Sequence, residues 1–361
     1  MVRRGYNAPT SDKVSQRSKG GYGMSATGMT TVLGAGTMGA GIAQCLSDHG
    51  QRVTLCDLLP LAIERARERI TTSRATLESA GLQTHDQSLV GESLLAMSCS
   101  LDDAVAESDL IIESISEDIH LKCDVFAQLD RSAPPHAAIV SNTSGLSITR
   151  LAEATDRPTQ VAGFHWFNPA ELVPLVEVTS GAQTDPSLIA QLMTLARQLG
   201  KEPIHVRRDV PGFVGNRLQF AVFREALHLL DEGVVSAEDL DRAMTGGPGF
   251  RWSFLGPLRA ADFGGLDVFH SICSYLWPDL SDATSPPPVL NEKLQAGHLG
   301  TKAGAGFYRY PPDELADLTD RRDRFFLNLK QLVEDMKTNK EKPSPAKTQA
   351  TSSSNLDNAK R

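Results

Sequence analysis

The stretch that most constrains the fold is Thr31-Val-Leu-Gly34-Ala-Gly36-Thr37-Met38-Gly39-Ala-Gly41. A short apolar strand runs into a GxGxxG pattern, the last glycine opens a helix bearing alanine and isoleucine, and Asp57 closes the next apolar run. Strand, turn, helix and acid in this order make the full dinucleotide-binding context, which a bare glycine pattern does not. Gly34 permits the tight strand-to-helix turn, Gly36 lets backbone approach a pyrophosphate, and Gly39 lets the helix pack closely on the sheet. The amino end of that helix, with Thr37 and Met38, offers unpaired N–H groups and a favourable field to phosphates. Asp57 stands 23 positions after Gly34, at the spacing of a carboxylate that accepts from both ribose hydroxyls and repels a 2′-phosphate. NAD is therefore expected as cofactor, ahead of NADP.

With 361 residues the chain has room for two domains. Its net charge of −8, with no basic stripe interleaved with aromatics, argues against a nucleic-acid partner. Cysteines 45, 56, 99, 123 and 273 are dispersed, with no CxxC and no His/Cys cluster, so no metal is expected and a reduced, cytoplasmic setting is. No run is apolar enough to span a membrane. Residues 1–28 read as a flexible basic tail without the apolar core of a secretory signal, and Met24 and Met29 are alternative starts. Residues 336–361, rich in Lys, Ser, Thr and Asn, read as a disordered tail.

Between the tails the first half alternates strand and helix signals. Thr31–Leu33, Val53–Asp57, Leu110–Ile115, Ala137–Val140 and Leu175–Val178 read as strands, as does the apolar run Gln160–Phe164 that His165 follows. Helices are expected over Met38–Asp48, 61–79, 101–107 (Ser100 and Asp103 spaced as a capping box), 121–129 and 186–199. Such alternation predicts an α/β fold, a Rossmann-type, largely parallel sheet domain over 29–210. From Pro211-Gly212 onward the pattern becomes helical: an apolar helix over 213–230 stopped by Gly233, then Ser236–Asp239 capping the next. An all-helical C-terminal domain over 211–335 follows.

Three clusters fall where a parallel sheet delivers its strand ends: Glu113-Ser-Ile-Ser-Glu117 running into Lys122, Ser141-Asn-Thr-Ser144-Gly145, and His165-Trp-Phe-Asn168-Pro169 with Glu177 inside the run 172–178. A lone histidine beside aromatics is commonly structural. Glu177 between Val176 and Val178, however, is costly to bury unpaired, and an imidazole N–H is a natural partner. A histidine in hydrogen-bond reach of a secondary alcohol can take its proton as hydride leaves the same carbon, and histidine ordinarily titrates near neutrality.

GAGTMGAGIA, the SNTS run at 141–144, GFHWFNP at 163–169, LVEV at 175–178, PGFVGNR at 211–217 and Gly300-Thr-Lys-Ala-Gly-Ala-Gly306-Phe-Tyr308 resemble, in order and spacing, the L-3-hydroxyacyl-CoA dehydrogenase family. The resemblance covers about residues 30–310. It implies that His165 is the general base, oriented by Glu177, and that Ser144 and Asn216 bond the substrate oxygen and its polar surroundings. It also implies that Glu117 and Lys122 lie near the nicotinamide end, and that Asn168 holds the loop after the histidine. Less specific alternatives stand beside these roles: Ser144 as a helix cap, Asn216 as a surface helix residue, Glu117 and Lys122 as exposed helix-start charges. The resemblance further implies a homodimer built on the helical domain, whose apolar helix over 213–230 needs a partner surface.

The family contains thioester and free-acid dehydrogenases, and the substrate signals are divided. Trp166 stands where a second phenylalanine is usual and Gly145 where a serine is common. The phrase Gly247-Pro-Gly-Phe-Arg251-Trp-Ser-Phe-Leu-Gly-Pro257 resembles the gulonate-type branch, where Arg251 would clamp a substrate carboxylate in bidentate fashion, or else be a solvated turn arginine. His165-Trp-Phe-Asn-Pro-Ala retains more of the acyl-CoA pattern. Arg65, Arg67, Arg69 and Arg74 are candidates for coenzyme A phosphates, though a solvated face paired with Glu64 and Glu68 is the favoured reading. The expectation is an L-3-hydroxyacyl-CoA substrate, with a free hydroxy acid (gulonate- or carnitine-like) as alternative. A catalytically idle NAD(H)-binding interaction protein is the alternative of another class.

Overall fold

A computed structural model describes residues 28–340. The tails expected over 1–28 and 336–361 lie outside it, apart from Gly28 and the stretch to Lys340, which ends the helix Pro312–Lys340. The described chain divides into two compact units, one of residues 28–74 with His85–Asn216, the other of Ala75–Thr84 with 217–340.

The first unit holds one eight-stranded sheet: β1 (Met29–Leu33), β2 (Arg52–Cys56), β3 (Leu95–Ser98), β4 (Leu110–Glu113), β5 (Ala138–Ser141), β6 (Val161–Trp166), β7 (Leu175–Ser180) and β8 (Glu202–Val206). Their spatial order is β3-β2-β1-β4-β5-β6-β7-β8, and every neighbouring pair is parallel except β6–β7. Strand order reverses between β1 and β4, the crevice where open α/β sheets bind nucleotides. Side chains alternate across the pleat. Leu110, Ile112, Ala138 and Val140 pack into one core layer, while Ile111 and Ile139 pack into the other. A sheet apolar on both faces needs helices on both. Fully burying each such side chain contributes roughly 1.5–3 kcal/mol, so these strands are held by core on two sides.

Two strands and one helix escape the sequence reading. The expected connector after residue 79 holds the helix His85–Leu94 and β3, and Glu202–Val206 forms β8. β3 and β8 are the two sheet edges. Their side chains are largely half-buried, and β8 carries Pro203, which an edge strand tolerates. The helix after Ser100 runs only over Leu101–Val105, with Ser100 Oγ accepting from the Asp103 N–H.

The second unit is helical: most of Gly215–Asp231, then Ala237–Gly246, Pro248–Trp252, Gly256–Gly264, Leu266–Leu276, Pro288–Gln295 and Pro312–Lys340. Ser236 caps Ala237–Gly246 by accepting from the Asp239 N–H, as its spacing predicts. The apolar helix expected from Phe213 begins instead at Gly215. Phe213 takes a left-handed φ of 48°, and the next two N–H groups are spent on a carboxylate rather than on helix. Among the described residues no helix is long and apolar enough to cross a membrane, and no group of His, Cys, Asp and Glu is arranged to hold a metal ion.

Candidate active site

The glycine turn lies directly beyond β1. Gly34 has φ +100° and faces the Ser114 carbonyl so closely that a Cβ would sit 2.5 Å from its oxygen. A Cβ on Gly39 would lie 1.8 Å from the Gly34 oxygen, so only glycine lets the helix Thr37–Asp48 meet the turn. Gly36 is the opposite case: nothing stands within 4 Å of its Cβ position, and no side chain caps the helix it begins. The first-turn N–H groups, with exposed Thr37 and half-buried Met38 beside them, are thus left to a ligand. Asp57, beyond β2, braces this turn: one oxygen accepts from the Ala35 N–H at 2.9 Å, the other from the Leu59 N–H at 2.9 Å. A carboxylate has about four acceptor sites, so two remain for ribose hydroxyls. The open cradle, the uncapped helix end and the half-used acid fit NAD.

His165 does not follow β6 but is its penultimate residue, and the antiparallel register sets it directly opposite Glu177 on β7. Antiparallel pairing is what returns Glu177 to the edge where the parallel strands end. Both residues are buried, and Nδ1 of His165 lies 2.8 Å from Oε2 of Glu177. The other carboxylate oxygen accepts from the N–H groups of Val214 (3.0 Å) and Gly215 (2.8 Å). Burial, the largest influence, pushes the Glu177 carboxyl up; the His165 bond, the two N–H groups and the imidazole's charge together hold it below the ordinary carboxylate range. An ionised carboxylate only accepts, so Nδ1 carries a proton, and the neutral imidazole held this way presents its lone pair at Nε2. The rings of Phe167 and Phe213, with centroids 4.5 and 6.0 Å from the imidazole, cover it. This arrangement can take a proton from a hydroxyl and return it.

Ser144 and Asn216 come together: Asn216 Nδ2 donates to the Ser144 carbonyl at 2.9 Å. Ser144 caps no helix, since Ser147 caps Ile148–Ala152. Glu117 holds the Ser144 turn, with Oε1 accepting from Thr143 Oγ1 (2.6 Å) and from the Ser144 N–H (2.8 Å). Lys122 is not an exposed helix-start charge. It is 1% exposed, and its ammonium is engaged with Glu113 and the Ile115 carbonyl, with Glu117 beyond. Asn168 is exposed, in a cis peptide with Pro169; the following loop is held instead by the buried Lys201, whose ammonium donates to the carbonyls of Ala170 and Val173. Gly145 has a local reason: a Cβ there would lie 2.4 Å from the Gly212 nitrogen.

Among the arginines of the helix Pro60–Ser79, Arg65, Arg67 and Arg69 are exposed, whereas Arg74 is buried against Asp48 at 2.7 Å. Arg74 is thereby removed from both readings, the phosphate-binding one and the solvated face. Arg251 is exposed on the short helix Pro248–Trp252 of the second unit. Sequence reasoning missed the Val214 and Gly215 N–H groups, and Asn142, whose side-chain oxygen accepts from the N–H of Trp166 beside His165. It also gave no role to Glu113, although a carboxylate closing an apolar run is the signal that singled out Asp57.

Residues 29–210 match the NAD-binding domain of 3-hydroxyacyl-CoA dehydrogenase and residues 212–310 its C-terminal domain. A 5-formyl-3-hydroxy-2-methylpyridine 4-carboxylate 5-dehydrogenase of Mesorhizobium japonicum is 35% identical over 303 residues, spanning 84% of this chain and 97% of that protein. A probable 3-hydroxybutyryl-CoA dehydrogenase of Bacillus subtilis is 39% identical over 280 residues, 77% of this chain and 96% of that one. The crystal structure of a 5-formyl-3-hydroxy-2-methylpyridine 4-carboxylic acid 5-dehydrogenase, described as an NAD+-dependent dismutase, matches with TM-score 0.80 and 34% identity. That match covers 85% of this chain and 99% of the other.

Proposed function

The chain belongs to the 3-hydroxyacyl-CoA dehydrogenase family and is an NAD-dependent oxidoreductase, and we propose that its substrate is a free hydroxy acid rather than a coenzyme A thioester. The observation that carries this is the extent of the likeness to the pyridine-carboxylate dehydrogenases, 84% of the chain in sequence and 85% in structure. The thioester-type relative has the higher identity over a shorter span. The phrase around Arg251, which resembles the gulonate-type branch, agrees with this reading. A hydrated aldehyde presents the same H–C–O–H unit as a secondary or primary alcohol, so carboxylate-bearing aldehydes fall within the class.

NAD, when bound, supplies the hydride acceptor, held by Gly34, Gly36, Thr37, Met38, Gly39 and Asp57. His165 Nε2 takes the hydroxyl proton in oxidation and returns it in reduction. Glu177 fixes the tautomer and balances the imidazolium. Ser144 and Asn216 direct polar groups toward the substrate oxygen, where charge develops. The helical unit serves a homodimer.

The test is NADH oxidation or NAD reduction at 340 nm, with acetoacetyl-CoA in one series and L-gulonate, L-carnitine and pyridine carboxylates with formyl or hydroxymethyl groups in the other. A His165→Ala control, expected to lose about 10²–10⁴-fold in kcat, runs beside both. A larger kcat/KM for a free acid supports the proposal. A larger value for acetoacetyl-CoA overturns it.

A further inference from the structure

Glu113 is a carboxylate with no solvent contact at the carboxyl end of β4, and the reaction as described does not use it. Its Oε1 accepts from the Ile115 N–H at 2.8 Å and lies 2.5 Å from the ammonium of Lys122. Its Oε2 accepts from Ser141 Oγ at 2.6 Å, and Ser141 Oγ in turn accepts from the Thr143 N–H. Lys122 also faces Oε2 of Glu117 at 3.4 Å. One buried cation therefore sits between two acids, close to the inner one and farther from the outer.

The difference matters for the outer acid. Glu117 spends Oε1 on Thr143 Oγ1 and the Ser144 N–H. Thr143 Oγ1 then lies within bonding distance of the Gly145 and Leu146 N–H groups. The turn carrying Ser144 thus hangs from Glu117, and its base is joined to the histidine strand through Asn142, which accepts from the Trp166 N–H. A full-strength Lys122–Glu117 pair would compete for that same carboxylate, because charge-assisted bonds are the stronger ones.

We propose that Glu113 is a positioning residue: by neutralising Lys122 from the inside, it keeps Glu117 free to hold the Ser144 turn in register with His165. Lys122 acts on the turn through Glu117. The proposal concerns how the site is held and is independent of which substrate is used.

The experiment is amide hydrogen exchange, read by mass spectrometry over peptides covering residues 141–147, in the full chain without ligand. Glu113→Gln keeps shape and removes charge. Its turn amides are expected to lose protection by about tenfold or more while peptides of β1 and β2 stay within about threefold of the parent. Emission from bound NADH is expected to shift in the same variant. The charge-balanced pair Glu113→Gln with Lys122→Met removes the competitor as well, so its protection is expected to lie between the parent and the single variant. A purely structural role for Glu113 predicts a double variant at least as loose as the single. That order, or a Glu113→Gln turn as protected as the parent, overturns the proposal. Should Glu113→Gln alone not fold, a folded double variant still decides it, since a loose turn there refutes the assignment and a protected one supports it.

Discussion

At the residue scale the chemistry rests on one carboxylate in an apolar strand. Glu177 is placed between Val176 and Val178, and its cost of burial is offset by three donors: His165 Nδ1 and the N–H groups of Val214 and Gly215. Glu177→Gln lets the imidazole settle in the other tautomer, leaving Nε2 protonated where a lone pair is required. We expect kcat to fall by about 10²–10⁴-fold with NADH binding, followed by fluorescence, little changed. The same residue sets a pH dependence. Its folded carboxyl is depressed, so its contribution to stability is complete above the ordinary carboxylate range and is lost as pH falls through the lower folded value. Chemical denaturation across that range should show the stability gap between parent and Glu177→Gln narrowing toward acid. A gap constant with pH would mean the carboxylate's charge is not what the pocket stabilises. Cys56 is the converse case: burial first, then the charges of Asp57 and Cys99, push its thiol up to about 11. Iodoacetamide at pH 8 should therefore modify exposed Cys99 and spare Cys56, read by peptide mass spectrometry.

At the scale of elements, two glycines mark where backbones must touch. Gly39→Ala places a methyl against the Gly34 carbonyl, and Gly145→Ser places a hydroxymethyl group against the backbone of Gly212. Each should cost about 1–3 kcal/mol in urea denaturation. Only Gly39→Ala should also abolish NADH binding, because it alone moves the helix that begins the phosphate cradle. Equal loss of NADH affinity in both would contradict that division. The first of these was legible in the sequence, because GxGxxG ties spacing to a function of backbone. Gly145 was not: it looked like a departure from a common serine, and its reason is a close approach from residue 212, far along the chain. The pattern holds more widely. Central strands such as β4 and β5 announce themselves as apolar runs, being buried on both faces, whereas half-buried edges such as β3 and β8 carry no period. His165 and Glu177 were legible as a pair, but their face-to-face register needed the antiparallel turn-back of β7, which sequence spacing leaves open. The start of the helix at Gly215 was missed because the Val214 and Gly215 N–H groups bond outside it, and periodicity sees only side chains.

At the scale of the whole molecule, what stands out in the helical unit is the apolar surface left exposed among the described residues. Leu258 and Phe263 on Gly256–Gly264 are 82% and 81% exposed, and Phe250 and Trp277 are similarly open. The unit also contains a cavity of about 710 Å³ walled by Phe220, Phe223, Leu227, Met244, Trp252 and Tyr308, among others. Isolated exposed leucines need no explanation, but apolar surface on this scale marks an interaction site. A second copy is the partner that the chain itself always supplies, and burying each large apolar side chain is worth roughly 1.5–3 kcal/mol. The predicted state is a homodimer, with a light-scattering mass of twice the chain's 39.0 kDa at micromolar concentration. Leu258→Glu together with Phe263→Glu puts two charges on each copy's exposed face, where desolvating them opposes association. The double variant should run at the single-chain mass while keeping its far-ultraviolet helical signal, since neither side chain is part of the buried core. A parent protein that is monomeric at these concentrations would show that some other partner covers this face. A variant that remains dimeric would move the interface to another surface of the helical unit.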